Sequence, residues 1–343
     1  MLNKIKGCLI GGAIGDALGY PVEFLSDGFI FSKFGEKGIT EYQLNKDGVA
    51  IFSDDTQMTL FTADGLLTAL DRVKVCMDDL LIDYVYQGYL NWLYTQEGDV
   101  SYLKDSYQSK LLKYEQLFCQ RAPGGTCLSA LCSGKIGDLR NPLNNSKGCG
   151  GVMRISPIPL FIKGKNEEEL QRVAYLCARA SAITHGHSLG YIPSAFVGYL
   201  IGALLTGEEI YSASQRALDC VRKLFCCESD LDIFEILINR AMIFSYGKGD
   251  DLDYIRELGE GWVAEETVAI SLYCALRYRN DFEKAIVASV NHSGDSDSTG
   301  AVTGNILGAY LGYNKIPNKY LNNLELRDLL VELSTDIFNA KCR

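Results

Sequence analysis

Two acidic clusters, Ser53-Asp54-Asp55-Thr56 and Asp295-Ser296-Asp297-Ser298-Thr299, stand near opposite ends of the chain, each just ahead of a helix-like run. Carboxylates and hydroxyls are hard oxygen donors suited to Mg²⁺ or Mn²⁺, and a dication would offset the repulsion of four gathered Asp side chains. Taken singly, either cluster is read equally well as helix capping, because Ser, Thr and Asp satisfy the exposed N–H groups of a first turn. Taken together, and with the glycine pattern below, they favour one shared metal site.

The elements that must bring the clusters together are marked by glycine. Gly7, Gly11, Gly15 and Gly19 recur every four residues, as do Gly300, Gly304, Gly308 and Gly312, which places each set along one side of a helix. Glycine costs about 1 kcal/mol against alanine inside a helix, so such stripes imply a compensating close approach of backbones. Two tightly packed helices at the centre of the domain are expected. Asp16 interrupts the first run and neither stripe reaches the length of a membrane span.

Helix-like apolar spacing recurs over 56–72, 77–94, 167–184, 187–206, 208–224, 229–243, 264–278, 282–291, 299–313 and 324–340, whereas period-two alternation is scarce. The expectation is an all-α fold, a compact helical bundle forming one domain over 1–343. Only seven prolines and no low-complexity linker offer a place to divide it. The longest irregular stretch, 119–157, holds the glycine-rich segments Arg121 to Thr126 and Ser146 to Arg154; clustered glycines let backbone N–H groups encircle phosphate oxygens. A net charge of −10 argues against a nucleic-acid partner. Twelve scattered cysteines without zinc-ligand spacing read as reduced core thiols, hence a cytoplasmic compartment. Lys4 and Lys6 precede an apolar stretch without a convincing cleavage site, so no membrane or secretory role is expected.

The segments GDALGYPVEF, FSDDT, RAPGGT, GCGGVMR, THGHSLGY, GWVAEE and NHSGDSDSTG occur in the order seen in the ADP-ribosylhydrolase family, which includes the dinitrogenase reductase-activating glycohydrolase. The chain resembles that family from about residue 5 to 313. The resemblance implies an all-α ADP-ribosylhydrolase-type fold, a centre of two divalent cations (Mg²⁺ or Mn²⁺) and cleavage at C1″ of ADP-ribose. It implies Ser53, Asp54, Asp55, Asp295, Asp297 and Ser298 as metal ligands, with serine at 53 and 298 where threonine is common. Asp16 and Thr56 are assigned supporting or capping roles, and His292 a structural one. Glu23 matches an acidic position near the scissile bond and is the leading acid/base; Asp55 counts as catalytic beside it. Ser146, Gly148, Gly150, Gly151 and Met153 are implied to hold the diphosphate and ribose, and His185 the adenosine half.

These residues support metal-dependent removal of ADP-ribose from modified protein side chains. Trp262 and Glu265, in a segment that opens a predicted helix, would suit a guanidinium by stacking and pairing, so arginine-linked ADP-ribose comes first; the other reading is a core Trp and first-turn Glu residues. Serine-linked or O-acylated ADP-ribose, as a protein or small-molecule substrate, is the alternative, and a non-catalytic, crystallin-like or ADP-ribose-binding protein is a second.

Overall fold

The computed structural model describes residues 1–72, 78–104, 107–161 and 166–341. The chain opens with α1 (Leu2–Gly19) and the short α2 (Asp27–Phe34), then pairs α3 (Asp54–Arg72) with α4 (Asp78–Glu97). Two short helices, α5 (Gly125–Cys132) and α6 (Pro157–Leu160), interrupt the stretch expected to be irregular. The hairpin of α7 (Glu167–Ala182) and α8 (Ser188–Leu205) follows, then α9 (Ile210–Leu224), α10 (Leu231–Phe244) and α11 (Asp251–Leu258). The last group is α12 (Ala264–Arg277), α13 (Phe282–Val290), α14 (Ser296–Leu311), α15 (Asn318–Leu321) and α16 (Arg327–Lys341). Among the described residues there are isolated β-bridges but no strand. Each of the ten expected helices is present within a few residues of its predicted bounds, although the first position of 77–94 lies outside the described residues.

The architecture is all-α around an antiparallel core pair, α1 against α14. A Cβ on Gly7 would stand 2.2 Å from the Gly308 carbonyl oxygen, on Gly11 2.4 Å from that of Gly304, and on Gly15 1.9 Å from that of Gly300. Side chains there would push two backbones apart, so the glycines offset their helix penalty by bringing the axes together. Gly312 departs from the expected stripe: it ends α14, with φ +84° and its N–H donating to the Gly308 carbonyl, because a left-handed residue closes a helix C-terminus. The antiparallel pairing sets the end of α1, at Asp16 and Gly19, beside the start of α14, where a Cβ on Gly19 would meet the Ser296 carbonyl at 2.3 Å. That single contact joins two parts of the chain almost 280 positions apart in sequence (296 − 19 = 277).

Helix α8 is apolar enough and long enough to cross a membrane by composition, and it is wholly buried inside the bundle. The ten described cysteines form no disulfide.

Candidate active site

Both acidic clusters straddle a helix start, with Ser53 and Asp295 just ahead of α3 and α14 and the other residues in their first turns. The expected starts at 56 and 299 come late because Asp54 and Ser296 already have helical backbone. Capping and clustering are therefore combined. Asp295 is the N-cap of α14, its Oδ1 accepting from Ser298 N at 3.1 Å. Asp16, reaching from α1, accepts from Ser53 N at 2.8 Å and from Thr56 N at 2.9 Å, so it caps α3 from a neighbouring helix. Thr56 Oγ1 adds a 2.5 Å bond to the same carboxylate. His292 is buried with its ring held by Ser289 and Ser293 carbonyls, a structural role.

Asp54, Asp55, Asp295, Asp297 and Ser298 share one wall of a cleft of about 320 Å³, with Glu23 beside them. The Ser53 hydroxyl sits behind this wall, bonded to Asp297 and accepting from Asp55 N at 3.2 Å. Burial drives every one of these carboxyls above the ordinary range, with repulsion from Asp297 next for Asp54 and Asp55. Asp16 is raised to about 7 by burial and then Asp297. Glu23 is raised to about 10 by burial, then by Asp297, Asp295, Asp54 and Asp16. Asp55 Oδ2 and Glu23 Oε2 are buried without a hydrogen-bond partner.

Unpartnered carboxyl oxygens in a buried, self-repelling cluster are the donor set that a hard dication satisfies. Among the described residues no three His, Cys, Asp or Glu side chains already stand in a ligand shell around one point. Asp295 and Asp297 instead share a hydrogen bond with each other. The oxygens fit Mg²⁺ or Mn²⁺ by the chemistry of the donor set.

The glycine loop lines the same cleft. Gly148 and Gly150 line the cleft with Met153 and His185. Cβ atoms on these glycines would approach His185 Nε2 at 3.3 Å, and one on Gly150 would reach Cys127 Sγ at 2.8 Å, so the loop must be glycine to lie on the imidazole. The loop is stitched to the segment before α12 by Cys149 N to the Trp262 carbonyl, 3.2 Å, and Ala264 N to the Lys147 carbonyl, 2.9 Å. Arg154 lies fully buried beneath, over the Tyr89 ring, and donates to Thr184 Oγ1 at 2.6 Å. That hydroxyl also lies 2.8 Å from His185 Nδ1, which holds the ring against the loop. Burial, and then Arg154, lower the His185 pKa to about 3, so the ring is neutral.

Three predicted residues have other placements. Ser146 is not on the cleft wall; its hydroxyl bonds Thr126 Oγ1 at 3.1 Å and accepts from Gly148 N at 3.3 Å, fixing the loop from behind. Gly151 packs against α7, where a Cβ would meet Ser181 Oγ at 2.0 Å. Glu265, expected beside the leaving group, pairs instead with Lys147. Trp262 does reach the cleft mouth and is 37 % exposed.

Sequence reasoning missed its partner, Phe24, whose ring stacks on Trp262 with centroids 5.3 Å apart. It also missed Cys149 as a cleft residue, with Sγ 2.7 Å from Asp295 Oδ2. Phe24 directly follows Glu23, the one signal available. Arg121 was visible only as part of a loop motif; it pairs with the buried Glu325 and donates to the Phe52 carbonyl at 2.9 Å, so it anchors the segment leading into Asp54.

The ADP-ribosylglycohydrolase family model matches residues 1–343. ADP-ribosylhydrolase ARH3 of Bos taurus is 26% identical, over 94% of this chain and 89% of that protein. ADP-ribosyl-[dinitrogen reductase] glycohydrolase of Rhodospirillum rubrum is 24% identical over 95% and 91%. ADP-ribosylarginine hydrolase Tri1 of Serratia proteamaculans is 24% identical over 98% and 79%. A solved structure described as an ADP-ribosylglycohydrolase-related protein complex superimposes with a TM-score of 0.61 at 23% identity, covering 99% of this chain and 98% of that one, and shares the fold.

Proposed function

The chain belongs to the ADP-ribosylglycohydrolase family and is a glycosidic-bond hydrolase, and from that premise we propose a metal-dependent enzyme that removes ADP-ribose from modified protein side chains, arginine-linked groups first. The observation that carries the proposal is the gathering of Asp54, Asp55, Asp295, Asp297 and Glu23, whose Oε2 has no hydrogen-bond partner, with a glycine loop in one cleft.

Asp54, Asp55, Asp295 and Asp297, with Ser53 and Ser298, would hold two Mg²⁺ or Mn²⁺ ions. When bound, these would supply positive charge that orients the ribose hydroxyls and positions water for addition at C1″. The chain's own groups do the rest. The Gly148–Gly150 turn, whose Gly148 and Cys149 N–H groups donate to Ser146 Oγ and the Trp262 carbonyl, gives the diphosphate a close approach to backbone without side chains, and the neutral His185 ring lies beneath it. Glu23, whose carboxyl burial favours in its protonated form, delivers its proton to the leaving nitrogen as the bond to C1″ breaks. The resulting carboxylate then takes a proton from the water that adds at C1″, which returns Glu23 to its starting state and yields ADP-ribose and the free side chain.

Preference for arginine is supported by the Phe24–Trp262 pair at the mouth, on which a guanidinium stacks. No Lys or Arg appears among the residues lining the cleft, so a cationic leaving group meets no like charge there.

A substrate panel tests the reading: ADP-ribose release from arginine-linked, serine-linked and O-acetylated conjugates, each with Mg²⁺, Mn²⁺ or chelator. Release should be fastest from the arginine conjugate and lost with chelator. Full turnover in chelator would overturn the metal dependence, faster serine or O-acetyl cleavage would overturn the linkage preference, and no release from any conjugate would overturn the proposal.

A further inference from the structure

A second groove of about 480 Å³ begins where the cleft ends. It shares Glu23, Phe24 and Ala122 with the cleft and continues over Tyr20, Pro21, Leu44 and Ile51, with the amides of Gln43 and Asn45 at its edge. The ridge between the two is held in an unusual backbone. Among the described residues four non-glycine residues have positive φ, and two of them, Phe24 at +64° and Ala122 at +54°, form this ridge. Such conformations cost about 1–3 kcal/mol each and persist where the surroundings over-determine them, most often at ligand sites.

We propose that this groove receives the polypeptide that carries the ADP-ribose, on the leaving-group side of the bond. The assignment rests on reading the cleft as an ADP-ribosylhydrolase site. With the diphosphate against Gly148–Gly150 and C1″ among the carboxylates, the scissile bond points toward Glu23, and what lies beyond Glu23 is the groove.

Its walls suit a peptide. Tyr20, Pro21, Leu44 and Ile51 offer apolar contact, and Glu23 is the only carboxylate, with no Lys or Arg among the lining residues. Asn45 spends its Oδ1 on the N–H groups of Asp47 and Val49, at 2.9 and 3.0 Å, so what it offers a ligand is its NH₂ donor. Gln43 offers both donor and acceptor. Extended backbone is recognised by this combination of amide partners and side-chain contacts without charge pairing. A small leaving group, such as a free amino acid or acetate, would leave most of the groove unused.

Two substrates with the same scissile bond isolate the flanking chain: ADP-ribosylarginine as the free amino acid, and the same residue within a peptide of about ten residues, a length that outreaches the groove at roughly 3.3–3.6 Å per extended residue. The full-length protein should cleave the peptide with a kcat/KM at least about tenfold higher, a gain of about 1.4 kcal/mol in transition-state binding. Leu44 is 46 % exposed, so Leu44→Asp is tolerated by the fold. This variant should pull the peptide-to-amino-acid ratio down by a similar factor, through KM. Equal ratios in parent and variant would overturn the groove assignment while leaving the hydrolase reading intact; cleavage of neither substrate by the parent protein would overturn the arginine linkage and the groove assignment that is built on it.

Discussion

Withdrawing divalent metal and returning it at two pH values perturbs the carboxylate cluster directly. Asp16 is raised from 3.8 to about 7, first by burial and then by Asp297. Holding that one carboxyl ionised in the folded chain therefore costs on the order of 4 kcal/mol. Between pH 3.8 and about 7 the folded chain keeps a proton that the unfolded chain has released. The stability this group contributes is complete below the lower value and is lost as pH rises through the upper one. Asp54, Asp55, Asp295 and Asp297 are displaced in the same direction, so metal-free protein should melt lower at about pH 7.5 than at about pH 5.5. Asp297 raises Asp16, Glu23, Asp54 and Asp55 alike, so metal-free Asp297→Asn should show a weaker pH dependence and a melting temperature at least equal to the parent's at the higher pH.

The metal should reverse the deficit. An ion that binds only the folded state, supplied at about one hundred times its dissociation constant, adds about 2.7 kcal/mol. At about 2.1 cal/mol/K per residue the unfolding entropy of 343 residues is about 0.7 kcal/mol/K, which converts that gain into a rise of about 4 °C in Tm. Differential scanning fluorimetry with Mn²⁺ and Mg²⁺ titrations reads both effects. The rise should be larger at the higher pH and largely absent in Asp297→Asn. A parent protein whose metal-free Tm falls no more steeply with pH than the variant's, and which neither ion shifts, would refute the reasoning.

Glu23→Gln should keep ADP-ribose affinity by calorimetry while kcat falls by about 10²–10⁴, the scale of a lost general acid; an unchanged kcat would exclude Glu23. Gly15→Ala sets a methyl group 1.9 Å from the Gly300 carbonyl oxygen and should cost at least about 1–3 kcal/mol in urea unfolding. A neutral result there would mean that the central helices part freely. Arg121→Met strands the buried Glu325 carboxylate and should cost about 3–5 kcal/mol. Adding Glu325→Leu should recover most of that loss, and failure to recover would show that the Phe52 carbonyl contact, not the ion pair, is what matters.

By itself the sequence determined the helices and the chemistry of the clusters. Ten helices were legible because a core-facing stripe repeats every three to four residues, a local property that survives without knowledge of the partner. The shorter α2, α5 and α11 were not, since eight residues offer barely two turns of periodicity, and in α5 the start is glycine. Glycine stripes announced a close helix pair because no other use compensates for so many glycines in one face. The acidic clusters announced hard-donor chemistry, and the order of motifs announced the family.

Tertiary structure alone decided which way groups in the loops and at helix starts face. Glu265, in the first turn of α12, turns to Lys147, the Gly151 backbone lies against Ser181, and Phe24, with no periodic signal, swings to Trp262. Each partner lies tens to hundreds of residues away, and its direction is set by how loops cross, which no local spacing encodes. The raised carboxyl pKa values belong to the same class. They follow from burial and from the meeting of α1, α3 and α14, so Asp16 and Asp297 repel each other only because Gly15 lets Gly300 come within touching distance.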